Sequence, residues 1–297
     1  MSVPAGAPPR PGSAAGAIGL VLARPARLLS VEPFFMEFIG GIEERLAERD
    51  MSVLLQIVPD QQAELDAYRR WSQRGLVDAV AVVNLTAGDE RPRVLAELGL
   101  PAVLVGDWDG SPAAPTVRTD DAAPVHEALR HLLELGHRRV ARVSGPAALL
   151  HTRRRTAALE EGCRAAGIEP PTTVEGDYSG ESGAELTTAL LRRPQAPTAV
   201  LYDNDAMAVA GLQAAEELGV AVPDGLSLIA WDDSTQCRLA SPPLTTMSVD
   251  VHQYGIAVAE SVLEAVDGLP VAERHSPPAR ITPRGSTARP GVHAGVV

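Results

Sequence analysis

Short apolar runs alternate with amphipathic stretches of about ten or more residues along most of this chain, and that alternation dictates parallel βαβ units with right-handed crossovers. Apolar runs at Ile18–Leu22, Val53–Val58, Ala79–Val83 and Ala102–Val105 predict strands. The stretches between them, Phe35–Glu48, Gln61–Gln73 and Arg91–Leu98, carry helical periodicity. A second series starts near Thr119. It predicts helices at Ala122–Leu135, Arg153–Ala166, Gly180–Arg192 and Asp205–Leu218, and strands at Arg139–Ser144, Thr172–Gly176, Thr198–Leu201 and Leu226–Ala230. A late strand at Leu244–Ser248, a helix at Val251–Val266 and a strand at Arg280–Pro283 follow. The fold class is therefore α/β, with two βαβ blocks each the size of a lobe.

Within the second block, Leu201–Met247 says most about function. One strand ends in Asp203-Asn204-Asp205, and its neighbour, after the Pro223-Asp224-Gly225 turn, ends in Asp232-Asp233. Both release polar side chains at the carboxyl edge of a sheet, where open α/β folds bind ligands. Carboxylates and an amide suit a hydroxyl-rich small molecule. They do not by themselves suit DNA, and a net charge of −12 over 297 residues argues against general attraction to phosphate backbones.

Cys163 and Cys237 lie in no metal or redox motif, which fits a reduced compartment. The N-terminal residues lack a signal-peptide apolar region, and Ile18–Ala23 is too short to span a bilayer. A cytoplasmic protein without membrane association is expected. Neither GxGxxG, Walker A nor GxSxG occurs. The spacing His131-x-x-Glu134-x-x-His137 lacks the i, i+4 histidine pair of a zinc helix, and Asp203-Asn204-Asp205 lacks the spaced ligands of a calcium loop. No metal and no cofactor are expected.

Many segments, in order, carry a resemblance to a known family: IGLVL, PFFMEFIGGIEERLAERDMSVLL, RGLVDAVAVV, LPAVLVGD, GHRRVARVSG, GDYSGESG, LYDNDAMA, VPDGLSLIAWDD, PPLTTM and ITPRGSTARP. The chain resembles the effector-binding core of LacI/GalR-type transcription regulators, relatives of the periplasmic sugar-binding proteins. The resemblance implies two Rossmann-like lobes with parallel sheets, of periplasmic-binding-protein-like type I, joined by three crossovers with ligand in the cleft. It divides the chain into an arm at 1–17, an N-terminal lobe at 18–118 plus 249–278, a C-terminal lobe at 119–248 plus 279–289, and a tail at 290–297. It further implies a homodimer whose lobes respond to a small-molecule effector, a carbohydrate or similar polar metabolite. Regulators of this type carry a helix-turn-helix ahead of the core. Seventeen residues precede Ile18, including Pro4, Pro8, Pro9 and Pro11, and no recognition helix fits them. Operator binding is accordingly expected only if a helix-turn-helix is present in the full-length product. Residues 24–32 are a smaller departure from the family pattern, which usually moves quickly into the first helix.

The resemblance places ligand contacts at Asp232, a carboxylate able to bridge two hydroxyls, and at Arg155, whose forked donors match paired hydroxyls. It places an aromatic cleft wall at Tyr178 and a first-lobe contact at Phe34 and Phe35, one of which reads as a core staple. Asn204 can donate to and accept from a hydroxyl; Asp205 reads as the N-cap of the following helix and Asp233 as a capping residue. Asp107, Trp108 and Asp120 are weaker candidates at the lobe edges. Arg153 and Arg154 read as exposed, and His137 as structural.

Two other functions share parts of this pattern. A solute-binding protein of a sugar transporter would have the same fold and cleft but needs an export signal. A glycoside hydrolase could use Asp232 and Asp233 as acid and base, but neighbours on a strand point to opposite faces. The expectation is a sensor, not an enzyme.

Overall fold

The computed structural model describes residues 15–24, 33–108, 110 and 114–291. Most of the expected arm, residues 25–32 and most of the tail lie outside the described residues. In chain order the strands are β1 (Ala17–Ala23), β2 (Ser52–Val58), β3 (Ala79–Val82), β4 (Ala102–Val105), β5 (Thr116–Arg118), β6 (Val140–Ser144), β7 (Thr172–Glu175), β8 (Ala199–Tyr202), β9 (Ser227–Trp231), β10 (Thr245–Ser248), β11 (Arg274–His275) and β12 (Arg280–Thr282). The helices are α1 (Pro33–Ala47), α2 (Gln61–Arg74), α3 (Arg91–Glu97), α4 (Ala123–Leu135), α5 (Leu150–Ala165), α6 (Gly180–Leu191), α7 (Asp205–Glu217), α8 (Thr235–Leu239) and α9 (Val251–Val266). They form two compact units; among the described residues the chain passes between them after Phe35, after Thr119, after Asp250 and after Ser276, so the first three residues of α1 group with the second unit.

The first unit holds a six-stranded sheet in the order β11-β5-β4-β3-β1-β2, with every pairing parallel. Helix α2 packs on β1 and β2, and α9 on β3, β4 and β5. The order reverses between β1 and β3. Just past that point Arg91 of α3 is buried with both of its carboxylate partners. Its guanidinium donates to Asp89 at 2.6 Å and Glu64 at 2.9 Å, and to the carbonyls of Val83 at 3.0 Å and Asn84 at 2.9 Å. Tyr68 completes the cluster by donating to Glu64 at 2.5 Å. A buried charge is tolerated only with such complete pairing.

The second unit holds the order β12-β10-β9-β8-β6-β7, parallel except for the antiparallel β10–β12 pair. Strands β8 and β9 are buried throughout, because helices cover both faces. Ala199, Leu201, Ile229 and Trp231 pack with Leu129 and Leu159 of α4 and α5. Their alternates Val200, Tyr202, Leu228 and Ala230 pack with Leu190 and Met207 of α6 and α7. The two-residue period thus sends Trp231 to the face from which α5 approaches.

Three elements escape the sequence reading. Strand β5, strand β11 and helix α8 span three, two and five residues, too few for a period to register. Helix α5 begins at Leu150, earlier than expected, because Leu149 ahead of it is extended but offers no capping side chain. The α/β class, the two parallel-dominated sheets and the periplasmic-binding-protein-like type I architecture are as expected.

Two packing features make measurable claims. Helices α1 and α9 cross backbone to backbone: a Cβ on Gly41 would stand 2.0 Å from the His252 carbonyl oxygen, and one on Gly255 2.2 Å from that of Phe38. Alanine normally favours a helix over glycine by about 1 kcal/mol. Here Gly41→Ala and Gly255→Ala should instead destabilise by about 1–3 kcal/mol, through overpacking, in urea unfolding.

In the second unit His137 is fully buried. Its Nε2 donates to the Ala288 carbonyl at 2.9 Å, and Nδ1 lies 2.9 Å from the Thr198 hydroxyl. Burial pushes the imidazole below its usual pKa, only partly offset by the bond to Ala288. A depressed histidine stabilises the fold fully above its unfolded pKa, and that contribution is lost as pH falls through the folded value. The melting-temperature advantage of the wild type over His137→Gln should therefore shrink between pH about 7.5 and about 5.

Candidate functional site

The order of the second sheet reverses between β6 and β8, and in doubly wound sheets the ligand crevice opens at the carboxyl ends of the strands flanking such a reversal. Gly145 follows β6, Asp203 follows β8 and Asp232 follows β9. Asp203 is buried and ties the two flanking strands together. Arg142 of β6 donates to its two oxygens at 2.8 and 2.6 Å, and the Gly145 amide donates at 2.9 Å. Burial alone would raise the Asp203 carboxyl, yet Arg142, Arg155 and the Gly145 amide hold it below the usual range. Arg142 also donates to Thr156 of α5 at 2.6 Å. One ion pair therefore joins β6, β8 and α5.

On this base stands Arg155, on α5. Its Nε donates to Asp121 at 3.1 Å, and its guanidinium carbon sits 3.7 Å from the centre of the Trp231 ring. Burial opposes its charge, but Asp121, Asp203, Tyr178 and Asp232 together outweigh burial and hold it charged. Asp121 is buried too, and its carboxyl is pushed up by burial against the pull of Arg155. Among the described residues, Nη1 and Nη2 of Arg155 donate no hydrogen bond. Most of this side chain is buried, and its outer donors remain available.

Tyr178 enters from the turn between β7 and α6. Its backbone is left-handed, with φ of 69°, an outlier for a bulky residue. Several groups hold it there. Its hydroxyl lies 2.8 Å from His151 Nε2, its carbonyl accepts from Asn204 Nδ2 at 2.9 Å, and its ring lies so close to Gly145 that a Cβ would meet the phenol at 2.1 Å. Asp232 is also left-handed, with φ of 70°, and its amide donates to Met247 at 3.1 Å. Strained backbone of this kind persists only where surroundings enforce it, and it concentrates at binding sites.

The structure brings Arg155, Tyr178 and Asp232 into one electrostatic neighbourhood. It corrects the expected caps. Asn204, not Asp205, is the N-cap of α7: its Oδ1 accepts from the Met207 amide at 2.9 Å while its Nδ2 serves Tyr178. Asp205 is the first helical residue and is buried, and burial raises its carboxyl. Asp233 is not the cap of α8. Ser234 caps α8, accepting from Cys237 at 3.3 Å, while Asp233 accepts from Arg284 at 2.8 Å. That ion pair commits the second carboxylate of the acid–base scheme elsewhere.

The remaining candidates have the following surroundings. Asp120 is exposed and accepts from the Ala122 and Ala123 amides at 3.0 and 2.9 Å, ahead of α4; its neighbour Asp121 carries the arginine. Asp107 accepts from Arg118 at 2.5 Å within the first unit. Trp108 is buried. Phe34 and Phe35 meet edge to face at 5.3 Å in the first turn of α1, with Phe35 buried and Phe34 half-buried. Arg153 is exposed, but Arg154 is half-buried. Asp203 stands in the strand end that the sequence marks as polar, but the sequence does not single out Asp121, Arg142, His151 or Trp231. The predicted strand ended at Ala230, one residue short of Trp231, and Asp121 differs from Asp120 only by its register at a helix start.

His131 and His137 face different partners, Thr287 and Ala288. Among the described residues no three His, Cys, Asp or Glu side chains are grouped to hold a metal ion, and no helix is long and apolar enough to cross a membrane.

Residues 129–287 match the model of the periplasmic binding protein-like domain. The chain is 30% identical over 255 residues to the HTH-type transcriptional regulator AglR of Rhizobium meliloti, covering 84% of this chain and 71% of that one. A LacI family transcriptional regulator from Bifidobacterium animalis subsp. lactis superposes with a TM-score of 0.85 at 36% identity, over 94% of this chain and 100% of that one. The transcriptional regulator CelR in complex with cellobiose superposes with a TM-score of 0.83 at 26% identity, over 91% and 84%. These relatives are regulators, not enzymes.

The Arg142–Asp203 pair should behave as a unit. Arg142→Ala and Asp203→Ala should each destabilise by about 3–5 kcal/mol, because each strands a buried charge. The double variant should lose clearly less than the sum in urea unfolding.

Proposed function

Because this chain belongs to the LacI family of transcriptional regulators, we propose that it senses an uncharged sugar or similar polyhydroxylated effector at the carboxyl edge of its second sheet. The observation that carries this is Arg155, charged and mostly buried, with its outer donors unused by the described residues and with Asp232 and Tyr178 acting on its charge. In this reading Arg155 donates to ligand hydroxyls and Asp232 accepts from them. The Tyr178 ring packs on the C–H face of the sugar. Asn204 acts one step back: both ends of its amide are engaged, and it holds Tyr178 in its left-handed turn. The cellobiose bound by CelR supports the choice of class.

Effector binding favours one conformation through the contacts made only there. The proposed output is control of DNA binding by a helix-turn-helix in a homodimer, so operator binding is proposed only for a form carrying that module.

A panel of neutral mono- and disaccharides, cellobiose included, tests the reading by thermal shift and calorimetry. A binder at about 100 times its Kd should stabilise by about 2.7 kcal/mol. Asp232→Ala and Arg155→Ala should abolish that shift and keep the far-ultraviolet dichroism of the wild type. No binder in the panel, or a shift that survives in both variants, defeats the proposal.

A further inference from the structure

We infer that Trp231 is a positioning residue for effector recognition, serving as the platform that holds Arg155 in place without using any of its hydrogen-bond donors. The inference rests on the role given above to Arg155, and its argument is one of donor accounting. An arginine side chain carries five N–H bonds in a rigid fork. Asp121 takes the one on Nε, at 3.1 Å. A second carboxylate beneath the guanidinium would take those on Nη1 or Nη2. An aromatic face attracts the cation through its ring quadrupole and takes none. The Trp231 ring sits in that place, 3.7 Å from the guanidinium carbon.

The fold accounts for how the ring gets there. Trp231 is the last residue of β9, and its position in the alternation directs it to the face covered by α4 and α5. It is buried at 8% exposure, packed with that core, and so is itself fixed. The next residue, Asp232, turns out of the strand with a positive φ. One strand end thus supplies both the platform for the cation and the proposed acceptor for the ligand. Asp121 limits rotation at Nε and the indole limits tilt, so the plane of the fork is set during folding. The side-chain entropy that a mobile arginine would lose on binding is largely removed beforehand.

The test begins with the ligand-free protein and side-chain NMR. The Arg155 Nε–Hε signal, assigned by its loss in Arg155→Lys, should be sharp and shifted upfield by the indole ring current. In Trp231→Leu it should return toward the exposed-arginine position and broaden; in Trp231→Phe the upfield shift should be kept in part. The second arm titrates the disaccharide that most stabilises the wild type in the panel above. Trp231→Leu should bind it about tenfold more weakly, with Trp231→Phe within about threefold of wild type. An Arg155 signal unchanged in Trp231→Leu overturns the inference, as does unchanged affinity in that variant. A panel without any binder removes the effector reading alone, because the NMR arm still decides whether Trp231 positions Arg155.

Discussion

A guanidinium and a carboxylate buried together at the reversal of strand order hold the second sheet in the form that its candidate site depends on. Arg142 and Asp203 are both almost fully shielded from water, where an unmatched charge would cost several kcal/mol. The arrangement survives because every strong acceptor and donor is met. Asp203 takes two bonds from Arg142 and one from the Gly145 amide, and Arg142 continues to Thr156. Everything nearer the edge inherits that alignment: the Gly145 backbone on which the Tyr178 ring rests, and the helix that carries Arg155. The first sheet uses the same device with different residues, where Arg91 gathers Asp89, Glu64 and two carbonyls just beyond β3. In both sheets the buried arginine secures the chain close to the reversal, where the connections that follow neighbouring parallel strands diverge.

The large features of this fold were legible from the chain because they are written in periodicity. Strands β8 and β9 are unbroken apolar runs, and α7 and α9 have long apolar faces, so both kinds of element stand out. Gly136 closes α4 as a left-handed cap, with φ of 100°. Elements of two to five residues carry no period, and helix starts without a capping side chain, such as that of α5, carry no boundary mark. These are the places where prediction and structure part.

The site was legible to a different degree. Asp232, Arg155 and Tyr178 were reached through family resemblance, and they do share one neighbourhood. The groups that position them were not reached, because their role depends on which atom of a neighbour they meet. Asn204 and Asp205 are chemically interchangeable as caps on paper, and only the register at the first turn of α7 decides between them. Asp120 and Asp121 present the same ambiguity ahead of α4. A buried arginine inside a strand such as β6 reads as an interruption of the apolar pattern until its partner across the sheet is known.

That last pair of aspartates has a consequence for how the chain could vary. One carboxylate ties up backbone amides and its neighbour carries the arginine, so their assignments hang on a single position along the chain. Exchanging side chains in the Tyr178 turn leaves that assignment intact. A one-residue change in length between Asp121 and α4 would shift both aspartates by one place: an insertion leaves Arg155 without its carboxylate, and a deletion takes the carboxylate from the amides ahead of α4. Lineages descending from such a protein should therefore vary freely in residue identity around the site while keeping the length of this junction constant.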